Sequence, residues 1–378
     1  MRVLFIITGL GTGGAEVMLL KLLERLDRER YTPMVISLTT MGEIGPRIAA
    51  LGIQVRSLGM TSGFPSPSSF LGLIWLIKKF KPDIVNTWLY HADLLGGLAG
   101  WLAGVPAIAW NIRNSNLDRD KTRWGTRLVV YVCAAISHWV PKKVLSCSEA
   151  ARRVHVKLGY SARKMLVIPN GFDLARFRSD AESRLTVRNE LGLADDAKLV
   201  GLIARYDPQK NHLGFVEAAV LIHMAMPEVH FVLAGSGVDA SNVELKALID
   251  AHGLADRMHL LGRRDDIPRL MAALDVLASS SYGEAFPNVL GEAMASSVPC
   301  VVTDVGDSAE IVGETGRVVQ AGDMQGLAQQ IVELLRLPTE KKRELGFKAR
   351  ARVDACYEIG FVTRLYEAFY EQLYLGCK

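Results

Sequence analysis

Short apolar runs alternating with helical patterns constrain this chain more than any other feature of it. Val3–Ile7, Met34–Leu38, Ile84–Asn86, Ala107–Trp110, Lys143–Cys147 and Leu166–Ile168 are apolar runs of strand length. Between them lie stretches with helical spacing, such as Ala15–Leu26 and Phe70–Lys79. The series restarts after Arg188 with Leu199–Ala204, His230–Ala234, Met258–Leu261, Val276–Ser279 and Pro299–Thr303. Strands that are apolar along nearly their whole length must be covered on both faces, which implies parallel sheets built from strand–helix–strand units. A chain of 378 residues is long for one hydrophobic core. The prediction is therefore an α/β protein of two doubly wound, Rossmann-like domains facing each other.

The segment Pro169–Arg184 breaks the alternation with a turn dipeptide and mixed charge, and reads as the interdomain linker. The expected organisation is an N-terminal domain over 1–168, a linker over 169–184 and a C-terminal domain over 185–357. A last helix over 358–378 presents an apolar face at Phe361, Leu365, Ala368 and Leu375 and is expected to pack back on the first domain. Ligands of such sheets lie beyond the carboxyl ends of the strands, so chemistry is expected in a cleft between the domains.

Composition removes several classes. Apolar residues make up 49% of the chain, charged residues 22%, and the net charge is +4, so bulk electrostatics point to no nucleic-acid partner. Five scattered cysteines form no CxxC pair, which argues against a zinc site or a disulfide framework and fits a reducing compartment. Five apolar residues before the first glycines are too few for a signal peptide, and no apolar run is long enough to span a membrane. A cytoplasmic protein is expected. Charge is concentrated in one place: Asn111 to Lys164 carries twelve basic residues, among them Arg119, Lys121 and Arg123, against three acids. Trp124, Tyr131, Trp139 and Val140 are interleaved with them. The segment reads either as a patch for an anionic membrane, at the inner face of the cytoplasmic membrane, or as a solvated helical face.

Three motifs sit where strands end. In "ITGLGTGGAEVMLL", Gly9, Gly11 and Gly14 match the G-x-G-x-x-G spacing of a dinucleotide-binding turn. The acid such a site needs at the end of the second strand is missing, because "VISLTT" is followed first by Glu43. What remains is a flexible turn of amides at a helix N-terminus, suited to an anion without any redox cofactor. In "IARYDPQKN", Arg205 follows a strand directly and Lys210 lies five residues on, a fork and a point charge for a diphosphate. Pro208 is expected to open the next helix at its first position. In "GEAFPNVLGEAMASSVP", Pro287 suits a first helical turn, which puts Glu284 in the preceding loop and Glu292 inside the helix. Two carboxylates flanking an amide-rich N-terminus suit a ligand with phosphates and hydroxyls, such as a nucleotide sugar.

Taken together, "GTGGAE", "VIPNGFD", "ARYDPQKN", "LAGSG", "LGRRDDIPRLMAALDV" and "SYGEAFPNVLGEAMASSVPCVVTD" resemble a retaining glycosyltransferase of the family 4 group over nearly the whole chain. The resemblance implies the GT-B architecture and a nucleotide-diphosphate-sugar donor bound mainly by the second domain; a UDP-sugar is the expected donor, although the sequence does not spell out the base. The resemblance gives Arg205 and Lys210 the diphosphate, and Glu292 the ribose. Glu284, with the amides around Phe286–Val289 (the segment Phe286, Pro287, Asn288, Val289), takes the donor sugar. The base would lie beside Arg263–Asp265, with Arg264 among its contacts, and Gly13 and Gly14 would close over the phosphates. His91, at the end of another strand, takes the place where the family often has a histidine near the donor sugar. Asn111, Arg113 and Asn114 end a further strand on the same edge and are expected to line the acceptor side.

No metal-binding spacing of histidines or cysteines is evident, and no cofactor is expected beyond the donor itself: two cations and helix amides offset the charge of a leaving diphosphate. The expected reaction is transfer of the sugar, with retention, to a hydroxyl of a saccharide or lipid-linked glycan in surface polysaccharide assembly. Rival readings are a nucleotide-sugar epimerase of the same architecture and a non-catalytic sugar-nucleotide-binding protein.

Overall fold

The computed structural model describes residues 1–60, 66–115 and 124–377. The chain divides into two compact units, Met1–Gly171 with Ile359–Lys378, and Phe172–Glu358. The first unit runs β1 (Arg2–Ile7), α1 (Gly14–Arg25), β2 (Thr32–Ser37), α2 (Ile44–Ala50), β3 (Gln54–Ser57), α3 (Pro67–Phe80), β4 (Ile84–Trp88), α4 (Tyr90–Leu102), β5 (Ala107–Ile112), α5 (Trp124–Ile136), β6 (Lys143–Ser146), α6 (Glu149–Lys157) and β7 (Met165–Val167). The second runs α7 (Ala181–Glu190), β8 (Leu199–Ile203), α8 (His212–Ala225), β9 (His230–Ala234), α9 (Val243–Ala251), β10 (Met258–Leu260), α10 (Ile267–Ala273), β11 (Val276–Ser279), α11 (Asn288–Ala295), β12 (Cys300–Thr303), α12 (Ser308–Val312), β13 (Arg317–Val319), α13 (Met324–Arg336) and α14 (Thr339–Tyr357). The last helix, α15 (Ile359–Leu375), returns to the first unit.

Both sheets are parallel, with strand order β3-β2-β1-β4-β5-β6-β7 in the first unit and β10-β9-β8-β11-β12-β13 in the second. In each, the first strand of the unit lies inside the sheet and the order reverses beside it, at β1/β4 and at β8/β11. Such reversal points leave a crevice at the carboxyl ends of the strands where helices diverge to opposite faces. Side chains alternate across β1: Val3, Phe5 and Ile7 face a core with α1, α2 and α15, while Leu4 and Ile6 face one with α3, α4 and α5. This two-sided burial is why the strands read as continuous apolar runs.

Four local expectations need correction. The strands β3 and β13 were not foreseen; both are edge strands, and Gln-Val-Arg-Ser in β3 is mostly exposed, so it lacks the apolar run of an inner strand. Ala181–Arg184, placed in the linker, begin α7 behind an Asp180 cap. Pro208 opens a single 3₁₀ turn, Pro208–Lys210, and not the following helix, because Asn211 turns left-handed (φ 53°) and caps α8 itself. The buried face of α15 is Ile359, Val362, Thr363, Tyr366, Phe369, Tyr370 and Leu373, offset from the expected face, and Ala368 and Leu375 are exposed. Its tyrosines carry the contact: Tyr370 Oη donates to Asn86 Oδ1 at 3.0 Å, and Tyr366 stacks on Trp88.

Candidate active site

At the β8/β11 reversal of the second unit, two loops are tied into one platform. The loop after β8 is held by Asp207, whose Oδ1 accepts from Gln209 N at 2.9 Å and whose Oδ2 accepts from Arg205 Nε and Nη2 at 3.2 and 3.1 Å. The loop after β11 folds onto it. Ser280 Oγ donates to the carbonyls of Lys210 and Asn211 at 2.9 and 3.0 Å, and Tyr282 N donates to Gln209 O at 2.7 Å. Lys210 Nζ pairs with Glu284 Oε1, which also accepts from Ser281 Oγ at 2.8 Å. Arg205, Lys210 and Glu284 are thus brought together at the reversal point, with the first exposed and the other two partly so. In this arrangement the carboxylate is the counter-ion of the lysine, and the serine fixes its direction.

Glycines set this platform by what they lack. A Cβ on Gly235, the glycine after β9, would overlap the Ala204 carbonyl and crowd Arg205 N at 2.7 Å, so any side chain there displaces the arginine loop. Gly306, at φ 59°, lies against the carbonyls of Glu284 and Ala285, and Asp307 N donates to Ala285 O at 3.1 Å. Phe286, expected within the sugar site, turns its ring inward: it stacks on Phe172 at 6.2 Å and meets Tyr357 edge-on at 5.7 Å. Its ring is an anchor, and its backbone leads into α11. Pro287 caps that helix, Asn288 and Val289 form its first turn half-buried, and Glu292 lies half-buried in its middle. Arg264 is drawn into an ionic cluster: its Nε donates to Asp266 Oδ1 at 2.7 Å, and its Nη2 to Glu190 Oε2 at 3.2 Å. Arg269 completes the cluster through Glu190 at 2.8 Å.

The β1/β4 reversal of the first unit is built otherwise. Its glycine loop carries no charge from Thr8 to Gly13, and Gly11–Gly14 are exposed. Gly42, at φ 49° after β2, lies so close to the Leu10 carbonyl that a Cβ would overlap it. Glu16, in the first turn of α1, folds back over Gly13, and burial raises its pKa. Opposite, the residue after β4 is Leu89, at φ 74° and ψ 151°, a conformation glycine usually takes. It is held by Leu89 N donating to Asn111 O (3.2 Å) and Asp93 N donating to Leu89 O (2.9 Å).

Asp93 closes this clamp from the interior. Fully buried, its Oδ1 accepts from Thr87 Oγ1 at 2.5 Å and Asn111 N at 3.3 Å, while Oδ2 has no partner among the described residues. Burial outweighs those bonds and pushes its pKa up to about 8. His91 follows the strained residue half-buried, and burial lowers its pKa, favouring the neutral ring. Beside it, the Tyr90 hydroxyl shares its proton between His155 Nε2 at 2.8 Å and Asn114 O at 3.1 Å. His155, held neutral by burial with a pKa of about 4, also bonds Ala151 O through Nδ1.

The acceptor-side trio separates. Asn111 is fully buried, its amide donating to Tyr366 Oη at 3.1 Å, so it supports α15 and does not line a ligand surface. Arg113 lies over Trp88, 4.1 Å from the ring centre, and donates to Asn170 Oδ1 at 2.9 Å. Asn114 is exposed. Asp93, Leu89 and Ser281 were missed because nothing in their spacing marks them, whereas Asp207 before a proline was a readable cap. Among the described residues no group of three or more His, Cys, Asp or Glu is placed to hold a metal, and no helix is long and apolar enough to cross a membrane.

Residues 12–176 match the model of Glycosyltransferase Family 4 and residues 197–337 that of Glycosyl transferases group 1. The chain is similar to the UDP-Gal:alpha-D-GlcNAc-diphosphoundecaprenol alpha-1,3-galactosyltransferase of Escherichia coli, with 28% identity over 271 residues and 70% of each chain covered. It is also similar to the lipopolysaccharide core biosynthesis mannosyltransferase LpsB of Rhizobium meliloti, with 28% identity over 353 residues, 89% of this chain and 93% of that one. Its fold matches the Anabaena HepE protein solved in complex with UDP, at a TM-score of 0.86 and 23% identity over 98% of this chain and 100% of that one. The two family models together span most of the chain, whose two parallel sheets share the fold of the solved neighbour: the chain belongs to the family 4 glycosyltransferases, with the GT-B fold.

Proposed function

We propose that the enzyme transfers a sugar from a UDP-sugar to a hydroxyl of a saccharide or lipid-linked glycan, with retention at the anomeric carbon and without a metal. The Lys210–Glu284 pair beside Arg205 at the β8/β11 reversal carries the reading. A diphosphate entering there would replace the Glu284 carboxylate as the partner of Lys210. Glu284 would then be free to accept from sugar hydroxyls, with Ser281 keeping it aimed. The amides of Phe286, Asn288 and Val289 and the N-terminal end of α11 add positive potential to the same place. Glu292 is assigned to the ribose, and Arg264 to the neighbourhood of the base.

As the bond from the anomeric carbon to the diphosphate oxygen breaks, charge develops on that oxygen. Arg205 and Lys210 stabilise it, the electrostatic task that dominates many transferases. The acceptor hydroxyl attacks from the face the diphosphate leaves, and its proton passes to the departing phosphate oxygen. His91, neutral by burial, is assigned to hydrogen bonding at the acceptor saccharide. Arg113 and Asn114 are assigned to the same side. The amides of Gly13 and Gly14 are assigned to phosphate or saccharide oxygens.

Both sequence relatives carry names from glycan assembly, one with a diphosphoundecaprenol acceptor and one from lipopolysaccharide core synthesis. They support a role in surface polysaccharide or glycolipid synthesis, with an acceptor presented at an anionic membrane. The test is a thermal-shift panel of UDP-, GDP- and ADP-sugars, followed by transfer assays with the best donor. Stabilisation by UDP-sugars and transfer abolished in Arg205→Ala/Lys210→Ala is the expected result. Transfer at the wild-type rate by that double variant refutes the assignment. Epimerised sugar from donor alone would favour the epimerase.

A further inference from the structure

Three helices of the first unit, α3, α4 and α5, cover one face of its sheet. They bury Leu73 and Ile77, Ala92 and Ala99, and Val130 and Cys133 in a common core. Their outer surface is not that of an ordinary solvated layer. Four of the chain's six tryptophans lie on these helices or directly after them: Trp75, Trp101, Trp124 and Trp139, each between 58% and 76% exposed. Leu71, Leu102, Leu128 and Tyr131 are exposed beside them. Single exposed apolar residues are common on soluble proteins, but a group of large aromatics on adjacent helices marks an interaction surface.

Charge on this layer has one sign. Neither α3 nor α5 contains an acid, and Asp93, the acid of α4, is fully buried. Lys78 and Lys79 are exposed at the end of α3, followed by Lys81. Arg127 is half-buried on α5, and Lys142 is exposed after it. Lys79 Nζ lies 4.8 Å from the ring centre of Trp75, a cation and an indole sharing one spot. Indole rings favour the headgroup level of a bilayer, and lysine stems lie along apolar surface while their ammonium groups reach anionic lipid. A protein partner would be expected to find some carboxylates to pair with; a uniformly negative surface needs none.

We propose that the α3–α4–α5 layer docks on an anionic bilayer, with Trp75 and Trp101 at its centre. The inference deepens the lipid-linked acceptor reading and rests on its membrane contact. It extends the place the sequence indicated, since α5 falls within the segment from Asn111 to Lys164 and α3 and α4 do not. Trp75, Trp101, the two lysines of α3 and Lys81 after it lie outside the segment from Asn111 to Lys164. Within that segment Arg152 is engaged by Glu149, and Lys164 Nζ donates to the carbonyls of Ser137, His138 and Pro141. Arg119, Lys121 and Arg123 lie outside the described residues. One helix links the surface to the acceptor side: α4 carries His91 in its first turn and Trp101 near its end, about 15 Å apart along the axis.

The test is flotation of the full chain with vesicles of phosphatidylcholine alone or mixed with phosphatidylglycerol, at low and high salt, with tryptophan quenching by brominated lipid. The wild type should float with the mixed vesicles, be released by salt and be quenched. Lys78→Gln/Lys79→Gln should weaken binding roughly 25-fold, about fivefold for each cation. Trp75→Ala/Trp101→Ala should lose much of the quenching while keeping its melting temperature and its shift by nucleotide sugar. A wild type that stays unbound, yet is stabilised by a nucleotide sugar, overturns the docking surface and leaves the donor reading standing. Vesicle binding with no stabilisation by any nucleotide sugar does the reverse. A concentration-dependent dimer that Trp75→Ala/Trp101→Ala dissociates assigns the layer to a second copy of the chain and overturns the proposal.

Discussion

The two reversal points are built on one plan and filled with opposite chemistry. Each unit has a glycine after its second strand, Gly42 or Gly235, seated against the loop that follows its first strand. Beyond that the likeness stops. At β8/β11 the ionic groups are at the loop surface: Arg205 with Asp207, and Lys210 with Glu284. At β1/β4 the loop from Thr8 to Gly13 is uncharged, and the polar groups lie inside, as the Thr87–Asp93 and Tyr90–His155 pairs. The topology fixes where a ligand can sit, and the loops decide which one. A diphosphate calls for cations with a disposable counter-ion; a saccharide hydroxyl calls for a rigid rim of hydrogen-bonding groups.

If that contrast is correct, the largest effect belongs to the charged platform. Lys210→Ala should lower kcat by roughly 10²–10³-fold, with the melting temperature nearly unchanged; a change in steady-state rate below tenfold would remove Lys210 from the leaving-group role. The matched glycines come next. Gly235→Ala should displace the Arg205 loop, and a displacement of about 1 Å can cost about 10²-fold in rate. Gly42→Ala should instead raise the KM for acceptor and leave donor affinity intact. Equal loss of donor affinity in both variants would erase the distinction between the units.

Smaller effects test the buried side. Asp93 keeps its proton because burial pushes its pKa from 3.8 up to about 8. The unfolded chain releases that proton near the ordinary value, so the stability it contributes is full below pH 3.8 and is lost as pH rises toward about 8. Asp93→Asn, which needs no proton, should flatten the fall of melting temperature over that window; an unchanged slope would mean the carboxyl is ionised in the folded protein. The smallest change is expected of Leu89→Gly. Relief of about 1–3 kcal/mol of backbone strain is offset by the greater entropy that glycine loses on folding, about 0.5–1 kcal/mol, together with loss of the partly buried Leu89 side chain packed on the core. Calorimetry should find stability little altered, while acceptor KM rises as His91 loses its fixed approach.

Much of this contrast was legible in the sequence, and unevenly so. Inner strands such as Leu199–Ile203 read plainly because burial on both faces demands continuous apolar residues. The edge strand Gln54–Ser57 did not, since one exposed side relaxes that demand. The placing of Arg205, Lys210 and Glu284 in the loops after β8 and β11 was legible because the apolar strands before them mark where those loops begin. Asn111 was misread by the same reasoning: it ends a strand on the ligand edge, but α15, from the far end of the chain, buries it under Tyr366. Phe286 was placed rightly in its loop, yet nothing local shows its ring turning toward Phe172 and Tyr357. Contacts over such sequence distances are set by tertiary packing, which periodicity does not encode.

The most direct measurement is calorimetric binding of UDP to the wild type, to Arg205→Ala/Lys210→Ala and to His91→Ala. The platform at β8/β11 should hold the diphosphate, so the double variant is expected to lose UDP affinity by a hundredfold or more, about 2.7 kcal/mol or greater, while His91→Ala binds as the wild type does. Undiminished UDP binding by the double variant would contradict the assignment of the donor to the second unit.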